Sequence, residues 1–289
     1  MIQWLRPQED PQPMKIVTDT GCLIPVEEAK KHQITLIPLQ IAVGEKNFRD
    51  YLEIESEDFV ELIKNKAAYS SQPAVGEVME AFESLEETLH IAMAKGLSAA
   101  YDAASSVVKS METHHITVFN STTLAGPQQY LVYLATKLRD GQKSVKEIVD
   151  RMSGCLRECD SFLMPVDFDF LKRGGRLTPM AAAMSGFLKM KPVLTQSQNR
   201  ERLEKFTVAR TWSGSIGSVI DEMVKRGVSA KHKIYISHAL NMDAAKQAFD
   251  AVVAKIQDAD IEILKLTPAM ITQGGPGCLA IQYILKDEA

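Results

Sequence analysis

No apolar run in this 289-residue chain approaches the roughly 20 residues that would cross a bilayer, so no membrane-spanning helix is expected. The opening residues, MIQWLRPQEDPQP, hold no apolar core of the sort an export signal needs. They are rich in Pro and Gln and read as a flexible arm over 1–13, ahead of a domain that starts at Met14. Cysteine is scarce, with four in the whole chain. That excludes a disulfide framework and fits a reducing, cytoplasmic setting. Cys155 and Cys159 stand four apart, which is one face of a helix, but no second Cys/His pair accompanies them. Buried free thiols are therefore expected rather than a zinc site. The Gly-x-x-x-x-Gly-Lys, Gly-x-Gly-x-x-Gly and His-Glu-x-x-His fingerprints are missing, as is any acidic metal cluster. Neither a phosphate-loop nucleotide enzyme nor a dinucleotide or metal enzyme is expected, and no cofactor. A dominant charge of one sign is lacking as well: Lys and Arg number 33 against 37 Asp and Glu, for a net charge of −4. That balance excludes a broad surface for nucleic acid or anionic membrane.

The residues present describe an ordinary globular chain, 45% hydrophobic and 24% charged, long enough for two domains with cores of their own. Strand-like apolar runs at 14–19, 34–43, 90–94 and 115–119 alternate with helical patterns at 25–32, 56–64, 75–85, 99–110, 126–138 and 145–159. Ser56 stands where an N-cap would. Alternation of this sort implies parallel βαβ units and an α/β domain. After residue 160 the pattern changes. Extended stretches at 162–168, 191–194, 202–209, 233–237 and 261–266 mix with helices at 211–226 and 242–256, and 278–285 is a helix or a strand. This is an α+β pattern, so the expected division is 14–160 and 161–289.

Several turns carry chemistry. Thr18-Asp19-Thr20-Gly21, Lys95-Gly96-Leu97-Ser98 and Asn120-Ser121-Thr122-Thr123 each end an apolar strand, and Ser70-Ser71-Gln72-Pro73 adds a fourth hydroxyl-bearing turn. Ligands of parallel α/β sheets bind outside the carboxyl ends of the strands, so these hydroxyls would converge on one crevice; the alternative is that they cap helices. Thr272-Gln273-Gly274-Gly275-Pro276-Gly277-Cys278 follows a strand-like run and opens an apolar segment. Glycines there allow close backbone approach, and at a helix start free N–H groups would cradle a carboxylate or phosphate. Arg173-Gly174-Gly175-Arg176, a basic Gly turn within 171–179, offers two guanidinium groups for such an anion, or a solvated turn. The Met-rich 180–190 suits the lining of an adaptable apolar pocket, or ordinary helix core. A rival reading is a small-molecule hydrolase or transferase with Ser98 as nucleophile and His238, at a strand end, as base. The Gly-x-Ser-x-Gly elbow is incomplete, because Ala100 takes the second glycine position. A third reading is an interaction protein whose crevice is vestigial.

MKIVTDTGCLIP, SSQP, KGLSAAYDAA, FNSTTLAG, LKRGGRL, KPVL and GGPG occur in this order from Met14 to the C-terminal end. As a set they resemble the DegV family, which includes the fatty-acid-binding subunits of bacterial fatty acid kinase. The resemblance implies a two-domain fold, an N-terminal parallel-sheet α/β domain followed by a C-terminal α+β domain. It also implies a long-chain fatty acid as ligand, its tail in an apolar tunnel and its carboxylate at the domain junction. The protein itself would not be catalytic; a separate kinase subunit would phosphorylate the carboxylate. By this resemblance Ser70, Ser98, Gln273, Gly275 and Gly277 hold the carboxylate, and Asp19, Ser121, Arg173, Arg176 and His238 contact ligand or partner. The family's Thr-Ser-Gln-Pro is Ser70-Ser71-Gln72-Pro73 here, and its Leu-Ser-Gly-Thr is Leu97-Ser98-Ala99-Ala100. Gln273 stands where the family has histidine. A neutral amide donates a hydrogen bond but cannot become a cation or hand over a proton near neutral pH.

Overall fold

The computed structural model describes residues 14–182 and 190–288. The expected arm at 1–13 and most of the Met-rich stretch 180–190 lie outside the described residues. β1 (Met14–Asp19), α1 (Val26–Lys31) and β2 (Ile34–Ile37) open the chain. The apolar run 34–43 is two strands, not one. Pro38 has no N–H to give a ladder, and after it β3 (Gln40–Val43) leaves for another sheet. β3 pairs antiparallel with β4 (Lys46–Arg49) and, beyond α2 (Ser56–Leu62), with β5 (Ala68–Ser71). This small sheet was not expected, since Ser70 and Ser71 read as a polar loop. Ser56 is not the N-cap of α2 either. Glu55 takes that place, and the Ser56 hydroxyl donates to Leu266 O at 2.7 Å.

α3 (Val75–Phe82), β6 (Glu87–Ala92), α4 (Ala100–Met111) and β7 (Ile116–Asn120) complete the first sheet, parallel throughout in the order β2-β1-β6-β7. Val78, Phe82, Ala104 and Val107 of α3 and α4 bury one face of it. α5 (Ala125–Asp140) and α6 (Val145–Cys155) cover the other. The helix expected to run on to residue 159 ends at Cys155. A 3-10 turn, Leu156–Glu158, leads into β8 (Cys159–Met164), so the two thiols share no helix face. From Cys159, paired with Ile284, the backbone joins the ladder to β13 instead of continuing the helix.

The second sheet begins there. α7 (Phe168–Gly174), α8 (Pro179–Ala182), β9 (Lys191–Gln196), β10 (Leu203–Ala209), α9 (Trp212–Lys225), β11 (His232–His238), α10 (Met242–Lys255), β12 (Asp260–Lys265), α11 (Pro268–Gly274) and β13 (Leu279–Leu285) follow. The strand order is β10-β9-β8-β13-β11-β12. β11 and β12 are parallel and the other pairs antiparallel. α9 and α10 bury one face with Ile216, Ile220, Ala245 and Val252. The opposite face meets α5 and α6, which are therefore packed between both sheets in a single core that joins Ile16 and Leu89 to Tyr235 and Ile284. Gly126, in the first turn of α5, makes that approach possible. A Cβ there would lie 2.1 Å from Tyr235 Cγ. The fold is α/β, with a parallel-sheet part and a mixed-sheet part.

Candidate functional site

Between the carboxyl edge of the first sheet, the small sheet and the inner face of the second sheet lies a cavity of about 100 Å³. Its wall is mainly apolar, from Leu39, Met93, Leu124, Leu163, Leu203 and Met270. A space walled this way suits an apolar chain better than a bulky polar group.

One corner is different. Ser70, Ser98, Arg176 and Gln273 all line the cavity, and a chain of contacts ties them together. Arg176 Nε donates to Leu97 O at 3.0 Å, next to Ser98, and its Nη1 donates to Gly174 O. Gly174 lies under the Gln273 side chain: a Cβ on it would fall 2.0 Å from Gln273 Oε1. Gln273 Nε2 in turn donates to Ser70 Oγ at 3.1 Å and to Thr272 Oγ1 at 3.3 Å. Ser98 Oγ accepts from Ala100 N at 3.1 Å, which leaves its proton for a ligand.

Arg176 is the decisive electrostatic feature. Among the described residues no carboxylate pairs with it, and its recorded bonds go to backbone carbonyls. Burial, and then the neighbouring charge of Arg202, hold its pKa below the usual guanidinium range. A partly buried cation beside another cation is relieved by an anion. Arg173 stacks over the Phe170 ring, 4.5 Å from its centroid, and does not line the cavity.

The glycine turn has a different geometry from the one expected. Thr272, Gln273 and Gly274 form the last turn of α11, a helix end rather than a helix start, and that end carries the negative pole. Gly275, at φ 78°, caps it and its N–H bonds Ile271 O at 2.9 Å; Gly277 N–H bonds Ala239 O at 2.8 Å. Both N–H groups are taken by backbone carbonyls, and neither glycine lines the cavity. The turn's part is to aim Gln273.

Asp19, Ser121 and His238 also stay out of the cavity wall. The Asp19 carboxylate accepts from Met93 N at 2.8 Å, Gly21 N at 3.0 Å and Gln128 Nε2 at 3.2 Å. Burial nevertheless raises its pKa to about 6. Ser121 Oγ is occupied within its own turn, by Thr123. His238 Nδ1 accepts from Asn241 N at 3.1 Å, and burial, then Lys265, lower its pKa. No histidine lines the cavity beside Ser98, so a Ser98–His238 pair does not form.

A residue the sequence reading missed is Asp50. It is fully buried, accepts from Thr20 Oγ1 at 2.8 Å and from Ala269 N at 2.9 Å, and so anchors the start of α11 to the first half of the chain. Burial raises its pKa to about 7. The Thr267-Pro268 start of α11 was the available signal for this helix; for Asp50 itself, isolated in a polar stretch, there was none.

A family model described as "Uncharacterised protein, DegV family" matches residues 13–286. The chain belongs to the DegV family. Its DegV relatives include the DegV domain-containing protein YteA of Lactococcus lactis, 26% identical over 283 residues, covering 94% of this chain and 98% of that one. The crystal structure of DegV from Bacillus subtilis, described as a fatty acid binding protein, is 25% identical, with a TM-score of 0.82 over 95% of this chain and 100% of that one. A DegV family protein from Eubacterium eligens loaded with heptadecanoic acid has the same fold, at 18% identity and a TM-score of 0.81, over 94% of this chain and 100% of that one. Among the described residues no helix is long and apolar enough to cross a membrane, and no cluster of metal-ligating side chains occurs.

Proposed function

We propose that this protein binds a long-chain fatty acid, its carboxylate at Arg176, Ser98 and Ser70, the last oriented by Gln273, and its acyl tail along the apolar wall. The observation that carries this reading is Arg176, a partly buried cation with no acidic partner among the described residues, at a polar corner of a mainly apolar cavity. Guanidinium and carboxylate match in charge and in fork geometry. The DegV relatives described as fatty acid binding, and the heptadecanoic acid in one of them, support the same ligand class.

In this reading the protein is a carrier, not a catalyst. It presents the carboxylate to a partner kinase that forms the acyl phosphate, in the cytoplasm, where four buried cysteines remain free thiols. Gln273 gives the corner a fixed neutral donor and no group able to gain a proton near neutral pH. Proton movement during any phosphate transfer therefore falls to the partner.

Native mass spectrometry of the freshly purified protein tests the proposal. A bound species of fatty-acid mass, one per chain, is expected. A lipid-free protein that takes up no added fatty acid would sink it.

A further inference from the structure

The sheet face that floors the cavity carries a polar row that a plain acyl chain does not explain. Side chains alternate along strands, so Ser161 and Leu163 of β8 and Ala280 and Gln282 of β13 face the cavity, with Met164 and Ile281 in the core behind. Gln282 stands opposite Ser161 in the antiparallel register. The pairing of Phe162 with Thr195 brings Gln196 of β9 beside Ser161 on its other side. Gln196, Ser161 and Gln282 thus lie side by side on three neighbouring strands, 6%, 8% and 1% exposed, and all three line the cavity. Buried amides and hydroxyls are costly unless bonded, so each polar atom of the row calls for a partner.

Part of the row holds the loop after β7. Gln282 Nε2 donates to Leu124 O at 3.1 Å and to Ser161 Oγ at 2.7 Å, and its Oε1 accepts from Gly126 N at 3.4 Å. Gln196 Nε2 donates to Thr122 O at 3.2 Å. Two capacities are left over. Gln196 Oε1 is buried without a partner among the described residues. The Ser161 oxygen is an acceptor for Gln282, and its own proton has no acceptor among the described residues. A spare acceptor and a spare donor on adjacent strands match one group that is both donor and acceptor, a hydroxyl.

We infer that the ligand is a hydroxylated long-chain fatty acid, its mid-chain hydroxyl accepting from Ser161 Oγ–H and donating to Gln196 Oε1. This rests on the fatty-acid reading above and names the class within it. The carboxylate corner is built from the end of β5, the turn after α7, the last turn of α11 and the loop at Ser98, and the polar row from strands of the second sheet, so the two contacts fix two points of one chain. Selectivity for hydroxyl position follows from that.

The full chain, stripped of lipid, is titrated by competition native mass spectrometry with octadecanoic acid and a set of monohydroxylated octadecanoic acids differing in hydroxyl position. One positional isomer is expected to bind about 10-fold tighter than the parent acid, a difference of about 1.4 kcal/mol. That advantage should vanish in Gln196→Leu and in Ser161→Ala while binding of the parent acid persists. Two variants are used because Gln196 also holds the Thr122 carbonyl, and the selectivity of the unaltered chain is decisive without either. If the parent acid binds as tightly as every hydroxylated isomer, the inference is overturned and the fatty-acid reading stands. If none of the acids binds, both fall together.

Discussion

Replacing Gly174 by alanine isolates the link between the Arg-Gly-Gly-Arg turn and Gln273. The new Cβ would stand 2.0 Å from Gln273 Oε1, 3.0 Å from Cδ and 3.4 Å from Nε2. Reaching ordinary contact requires the amide oxygen to retreat by more than about 1 Å. The amide is planar, so Nε2 moves with it, and its bonds of 3.1 Å to Ser70 and 3.3 Å to Thr272 stretch past the useful range. Ser70 then loses the donor that orients its hydroxyl, and misplacing that one ligand contact, worth about 0.5–1.5 kcal/mol, lowers fatty-acid affinity about 2- to 10-fold. Fold stability responds differently. The displaced group is the free end of a long side chain, and Gly174 is the last residue of α7, where alanine is intrinsically favoured over glycine by about 0.5–1 kcal/mol. The two lost bonds outweigh that gain, so Gly174→Ala should melt a few degrees below the parent protein and bind lipid more weakly. A double-mutant cycle with Gln273→Ala completes the test, since in that background the atoms nearest the added methyl are gone and affinity should be unchanged by it. Unaltered lipid affinity in the single variant, or an equal loss in both backgrounds, would refute the reasoning.

Further predictions concern other parts of the structure. Arg176→Ala should weaken fatty-acid binding by at least about tenfold through loss of a charge-assisted contact, and Ser98→Ala by about 1–3 kcal/mol if its hydroxyl meets the carboxylate; calorimetric titration of lipid-free protein reads both. Gly126→Ala would bring a Cβ to 2.1 Å from Tyr235 Cγ and 2.4 Å from its Cβ, the rigid root of a ring that is 2% exposed. Overpacking of that kind costs about 1–3 kcal/mol, so the melting temperature should fall by several degrees. Asp50 and Asp19 have folded-state pKa values raised by burial to about 7 and about 6, against 3.8 for the free group. The folded chain holds these protons more tightly than the unfolded chain, so their contribution is full below about pH 4 and is lost as pH rises towards 7. Asp50→Asn mimics the protonated acid, and its melting temperature should fall less between pH 5 and pH 8 than that of the parent.

The sequence makes the alternation of strands and helices legible because short apolar runs, as at β1, and amphipathic periods, as at α9 and α10, survive in single segments. It does not reveal partners in other segments. The run from Ile34 looks continuous, and only the missing Pro38 N–H marks where it divides between two sheets. The site shows the same split. Ser70, Ser98, Arg176 and Gln273 stand in motifs that signal polar chemistry, and folding brings them to one cavity. Gly275 and Gly277 give the same signal, yet their N–H groups close the end of α11 and a contact to Ala239. A glycine-rich turn looks alike at a helix start and at a helix end, and the prolyl start of α11 seven residues earlier decides which it is. Asp19 and Ser121 resemble ligand contacts for a related reason: polar side chains at strand ends serve the loops' own backbone as readily as they serve a ligand. Asp50 and the row of Gln196, Ser161 and Gln282 carry no local signal, because their roles arise from segments far apart in the chain.

The account turns on whether the cavity at Arg176 holds a fatty acid. Native mass spectrometry of the chain as purified, beside the Arg176→Ala variant prepared the same way, measures this directly. The account predicts one fatty acid per parent chain, released on denaturation and identified by its mass, and markedly lower occupancy in the variant. A parent protein that carries no lipid and takes up none on incubation, or a variant that retains it in full, would contradict the central claim.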